Sequence, residues 1–131
     1  MPSDIATRFI DALHALEDDR DAGALAGLYA DDAVSGNTAT TRTFDGPEGA
    51  KAFWTGYRET FDDIRSDFRT VAATDDAVSL EWRSKGTLAG GEQVAYEGVT
   101  VLALDGDGRI ARSTAYFDPR AVVEHLSSAL R

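Results

Sequence analysis

Residues 94–130 read VAYEGVTVLALDGDGRIARSTAYFDPRAVVEHLSSAL, and the reading of this stretch decides the fold. A run rich in Val, Leu and Thr climbs to Asp105-Gly106-Asp107-Gly108, a turn sequence able to reverse the chain, and a second run descends from Arg109 to Phe117. Alternation puts Val99 and Val101 on one side of the ascending run and Leu102 and Leu104 on the other, so both faces are apolar. That pattern suits a central strand covered on both sides. Asp118 offers a capping oxygen and Pro119 suits a first helical position, so the hairpin is expected to feed a closing C-terminal helix.

Upstream, Val78, Leu80 and Trp82 alternate with Ser79, Glu81 and Arg83 before Ala89-Gly90-Gly91 reverses the chain. Earlier still, Ile64, Phe68 and Ala72 oppose Arg65, Asp67 and Arg69, the period of two of a strand with one wet face, and only Val71 interrupts it. The first third is helical in pattern. Ile5, Phe9, Leu13 and Leu16 mark one face of a helix ending near Glu17, and Asp21 can cap a shorter helix carrying Leu25, Leu28 and Tyr29. A short strand near Val34 and a small return strand from Thr40 to Phe44 follow. Asp45-Gly46-Pro47-Glu48 then opens a third helix with Ala50, Phe53, Trp54, Tyr57 and Phe61 on its apolar face. The expectation is an α+β fold in one domain over residues 1–131: a curved antiparallel sheet wrapped around three N-terminal helices, with a C-terminal helix.

Composition narrows the function classes. The net charge of −10 repels phosphate backbones and anionic lipid, so nucleic acid and membrane are not expected partners. Asp outnumbers Glu 16 to 7 and Arg outnumbers Lys 11 to 2, a balance shared by salt-adapted proteins and by chains from GC-rich bacteria. No apolar run is long enough to span a membrane, and no basic start leads into an apolar stretch, so a cytoplasmic chain is expected. Without cysteine there is no disulfide and no thiolate chemistry. His14 and His125 are the only histidines and share no metal spacing, and Asp105 to Gly108 lacks the later ligands of a calcium loop, so neither a metal nor another cofactor is expected.

The segments DALHALEDDRDAGALAGLYADDAV, FDGPEGAKAFWTGY, VSLEWRSKGTLAGG and LDGDGRIARSTAYFDP, in that order, resemble the SnoaL-like branch of the nuclear-transport-factor-2-like superfamily. The resemblance implies an open cone with a pocket, often dimeric. It also implies where catalytic groups would sit. The oxyanion-hole and base positions of ketosteroid isomerases fall at or near Phe9, Asn37 and Thr100, none of which keeps the required group. The acid and base positions of SnoaL-type polyketide cyclases fall near Thr100 and Ala115, and a further histidine position of some relatives at Leu88. Asp67, Arg69, Glu81 and Arg83 have the residue types of an epoxide-hydrolase triad, but their alternation turns them away from the pocket, as a cross-strand charge ladder.

What remains is an apolar site with a few neutral polar groups. Phe9, Leu13, Asn37, Trp54, Tyr57, Trp82, Thr100 and Tyr116 are the expected ligand-binding residues, for a small apolar or ring-containing ligand. Ser113 and Tyr116 cannot both point inward on a regular strand, and Tyr116 is the expected one. If the site catalyses, a mechanism through Glu97, Glu81, Tyr57 or Tyr116 is expected, most readily with a carboxylate whose pKa burial has raised. The alternative is a non-enzymatic interaction module with a closed core, whose outward Val99, Val101 and Ala103 meet a second copy or another protein; a homodimer through the sheet is expected with the small-molecule site as well.

Overall fold

A computed structural model describes residues 2–121, with side chains from residue 4 onward. Helix α1 (Pro2–Asp19) lays Ile5, Phe9, Leu13 and Leu16 into the core and stops at Arg20, whose φ of 59° breaks the helical path. Helix α2 (Gly23–Ala26) is a single turn, its first N–H taken by the Asp21 carboxylate at 2.9 Å. Strand β1 (Tyr29–Asn37) and the two-residue β2 (Phe44–Asp45) precede helix α3 (Gly46–Glu59), which starts with Pro47 in its first turn. Four long strands complete the described chain: β3 (Phe61–Ala73), β4 (Ala77–Leu88), β5 (Gln93–Leu104) and β6 (Ile110–Phe117).

The strands form one sheet in the order β2-β1-β6-β5-β4-β3. Every ladder is antiparallel except β1 against β6, which is parallel. β5 lies between β4 and β6, with Thr100, Leu102 and Leu104 buried on the face that the helices cover. Its odd-numbered Val99, Val101 and Ala103 face outward and are half-buried. At the hairpin tip the Asp105 carboxylate accepts the N–H groups of Asp107 and Arg109 at 2.9 and 3.0 Å, which holds the turn closed.

Several sequence expectations shift. Tyr29 opens β1 instead of extending α2, because the chain leaves helical geometry after one turn and pairs Tyr29 with Ile110. Of the expected 40–44 strand only Phe44 pairs with β1, together with Asp45 beyond it, and Phe61 begins β3 instead of continuing α3. A register shift between Phe68 and Val71 reverses the alternation, so Ala72 pairs with outward Ser79 instead of facing the core, and Val71 is 43 % exposed. The closing helix and His125 lie outside the described residues. At its expected start the Asp118 carboxylate accepts the Arg120 N–H at 3.0 Å, as capping requires.

Two apolar clusters fill the space between helices and sheet. The larger joins α1, α2 and α3 to Val78, Leu80, Leu102, Leu104 and Ile110, and the smaller gathers Phe61, Ile64, Trp82, Leu88, Val94 and Tyr96. Tyr57 and Phe68 pack against both. The packing is incomplete where the clusters meet.

Candidate functional site

Five strands each bury one small hydroxyl on the inner face: Ser35, Ser66, Ser84, Thr100 and Ser113. Large aromatic side chains surround them, and their polar edges need partners once out of water. Trp54 donates its indole N–H to the Tyr29 hydroxyl at 3.0 Å, and that hydroxyl donates to Ser113 Oγ at 2.8 Å. Trp82 donates to Thr100 Oγ1 at 2.9 Å, and Ser66 and Ser84 share a 2.6 Å bond. Both indoles are thereby pinned in place, with no N–H left for a ligand.

Between these groups is a cavity of about 60 Å³, lined by aromatic rings from Phe53, Trp54, Tyr57, Trp82, Tyr96 and Phe117 and by Leu13, Asn37, Ser66, Ser84, Thr100 and Ala115. The rings meet mostly edge to face, as Trp54 with Tyr57 at 5.4 Å and Trp82 with Tyr96 at 5.3 Å. Outside it is an open depression of about 330 Å³ that shares Asn37, Phe53, Tyr57, Tyr96 and Phe117 with the cavity wall. Those five residues form a collar between inner and outer space.

Burial sets the chemistry of this wall. It pushes the Tyr57 hydroxyl well above the usual phenol range, reinforced by the charges of Tyr96 and Glu17, and moves Tyr96 up to about 12. Both are therefore neutral hydroxyls at ordinary pH. Among the described residues the buried carboxyl nearby is Glu17, one helical turn beyond Leu13 and only 3 % exposed. Burial raises its pKa, and Ser66, His14 and Arg65 draw it part of the way back, although neither oxygen has a hydrogen bond of normal geometry. His14 is half-buried, its Nε2 3.0 Å from the Ser66 carbonyl, and packs beside Phe68.

The structure brings Leu13, Asn37, Trp54, Tyr57, Trp82 and Thr100 together on the cavity wall. Phe9 is not there; it is buried behind the wall, edge-on to Trp54 at 5.8 Å. Tyr116 is a correction. It pairs with outward Val99 and is 50 % exposed, whereas Ser113 pairs with Leu102 and points inward. Glu81 and Glu97 are excluded as cavity bases for the same reason, because both lie on the outer face and pair with Arg69. Of the positions that the resemblance marks, Asn37, Thr100 and Ala115 line the cavity without a group that titrates near neutrality, and Leu88 is buried in the smaller cluster. Among the described residues no group of three or more His, Asp or Glu could hold a metal ion.

Sequence reasoning missed Glu17, Ser66, Ser84 and Tyr96. A signal for Glu17 was present, since Ile5, Phe9, Leu13 and Glu17 repeat every four residues and so share one helix face. The three others continue the even-numbered alternation of β3, β4 and β5.

A family described as the SnoaL-like domain matches residues 6–113. No protein of curated function matches the sequence. Among solved structures, an NTF2-like protein of unknown function from Burkholderia pseudomallei K96243 superposes with a TM-score of 0.83 at 14 % identity, over 96 % of this chain and 97 % of that one. A protein with a ketosteroid isomerase-like fold from Catenulispora acidiphila DSM 44928, in complex with trimethylamine, gives 0.81 at 19 % identity over 95 % and 93 %. An LEH-like epoxide hydrolase from M. tuberculosis gives 0.72 at 20 % identity over 97 % and 90 %. At these identities the likeness is one of fold.

Proposed function

This chain belongs to the SnoaL-like domain family, and on that premise we propose that it binds a small, mainly apolar molecule in the aromatic cavity between helices and sheet. The observation that carries this reading is the set of Asn37, Phe53, Tyr57, Tyr96 and Phe117, which line both a small inner space and a larger, more open outer one. Such a site takes a compact group inside and leaves the rest of the ligand in the depression, with the Asn37 amide and the Tyr57 and Tyr96 hydroxyls to orient it. The inner space of about 60 Å³ is well short of the roughly 150 Å³ that admits a benzene ring. A ring-containing ligand therefore keeps its ring in the depression. The similar protein from Catenulispora acidiphila is in complex with trimethylamine.

Purified protein should show a concentration-dependent rise in melting temperature with some members of a panel of compact hydrophobic alcohols and amines, because a ligand that binds only the folded chain stabilises it by mass action. No shift with any of them would reject the reading. A second copy of the chain is proposed on the outer face of the sheet, where Tyr116 is exposed beside half-buried Val99 and Val101. A strictly monomeric sedimentation profile at working concentration would remove that part.

A further inference from the structure

The direction of each hydrogen bond on the cavity wall narrows the ligand class, on the reading that the cavity binds a small molecule. An indole N–H can only donate, so Thr100 Oγ1 is the acceptor in its 2.9 Å bond with Trp82. Among the described residues that is the one hydrogen bond of the Thr100 side chain, and its own hydroxyl hydrogen is left without an acceptor. Thr100 is 4 % exposed and lines the cavity, so this donor can meet a partner only there. A buried donor without an acceptor is costly, and an acceptor brought by a ligand removes that cost. Asn37 repeats the pattern, since its Oδ1 accepts the Ala39 N–H at 2.9 Å and its amide hydrogens remain. Ser66 and Ser84 are already engaged, bonded to each other at 2.6 Å with Ser66 also facing Glu17.

Strand register sets these donors around a gap. Ala115 pairs with Asn37 on β1 and with Thr100 on β5, so the three stand in one row across the inner face and the small methyl group lies between the two donors. Ala115 and Thr100 line the inner space and not the depression. A volume of about 60 Å³ is roughly twice the 30 Å³ that one water molecule occupies in the liquid, which leaves room for about two non-hydrogen atoms. No charged side chain lines either space, so an ionised group would be buried there without a countercharge.

We propose that the site selects a neutral ring compound carrying one short hydrogen-bond acceptor group, of the size of a nitrile or an aldehyde. The group enters over Ala115 to meet the Thr100 hydroxyl, and the ring stays in the depression among Phe44, Phe53, Phe61 and Phe117. Ala115 determines the specificity, because a larger side chain there fills the gap between Asn37 and Thr100.

Benzonitrile and phenylacetylene are rods of nearly the same length and shape, one ending in an acceptor nitrogen and the other in a C–H. Their affinities, and that of benzene, are to be measured by NMR titration of the wild type and of Ala115→Val, following the indole N–H signals of Trp54 and Trp82, the two tryptophans of the chain. The nitrile gives up more hydration than the alkyne, so without a donor in the site the alkyne binds tighter. The expected result is the reverse, with benzonitrile tighter than phenylacetylene by about threefold or more, the gain of one hydrogen bond. Ala115→Val should lower the affinity for benzonitrile relative to benzene by about fivefold or more, through loss of that bond and of the space for the substituent. Equal or tighter binding of phenylacetylene by the wild type overturns the acceptor assignment. A benzonitrile-to-benzene ratio unchanged in folded Ala115→Val overturns the placement of the group over Ala115. If none of the three compounds binds while the compact alcohols or amines raise the melting temperature, the ligand class is wrong and the small-molecule reading stands; if nothing in either set acts, that reading fails as well. The wild-type comparison decides the acceptor even if the variant does not fold.

Discussion

Glu17 opens an acidic run, Glu17-Asp18-Asp19, yet only its neighbours reach water; the Asp18 side chain is 60 % exposed and meets Arg65 at 3.2 Å. The unfolded chain ionises Glu17 near the ordinary 4.5, whereas the native protein holds the proton to higher pH because burial disfavours the charge. Between those two values the native state binds more protons, so the stability that this group contributes is complete below the unfolded value and is lost as pH rises through the folded one. Urea unfolding of wild type and Glu17→Gln, compared from about pH 4 to about pH 8, should give a wild-type advantage that shrinks with pH and then levels off. A difference that stays flat would show that the carboxyl titrates alike in both states. Thr100→Val keeps the shape at that position but strands the buried Trp82 N–H, at an expected cost of about 1–3 kcal/mol by denaturant unfolding. The sequence shows Trp82 and Thr100 on the inner faces of β4 and β5 by alternation alone; that they bond each other depends on strand register, which alternation does not specify.

At the scale of elements, the position of Trp82 depends on its neighbour across the ladder. Gly98 pairs with Trp82 on β4 and with Phe117 on β6, and a Cβ there would come within 2.4 Å of the Tyr116 carbonyl and 2.7 Å of the Trp82 ring. The carbonyl belongs to a sheet ladder and cannot step aside. Gly98→Ala should therefore cost about 1–3 kcal/mol by overpacking and shift the tryptophan emission as the indole is displaced; unchanged emission together with unchanged stability would show that the sheet absorbs the methyl group. Long elements were legible because their periods repeat: α1, α3 and the four long strands all occur where residue spacing puts them. Short ones were not. Helix α2 is a single turn and β2 two residues long, so neither contains a full period, and the shift between Phe68 and Val71 reverses a face without a mark in the local pattern.

For the whole molecule, 23 acidic residues against 13 basic ones mean that the compact state works against its own repulsion. Raising sodium chloride from about 0.05 M to about 1 M shortens the screening length from over 10 Å to roughly 3 Å, and the melting temperature should rise with it. A fall would mean that surface ion pairs such as Arg69 with Glu81 and Glu97 outweigh the net repulsion. By itself the sequence determined the order of helices and strands, the two apolar faces of β5, the α+β architecture and the loss of the acid and base groups at the positions its family resemblance marks. The first three follow from residue periodicity, which is local and survives without knowledge of what packs on what, and the last is what the resemblance implies. The tertiary structure alone decided that Tyr116 faces outward, that Phe9 stands behind the cavity, that the inner space is small and that Glu17 is buried beside it. Each of these depends on strand register and on how α1 and α3 seat against the sheet, and burial of a carboxyl is a property of everything around it.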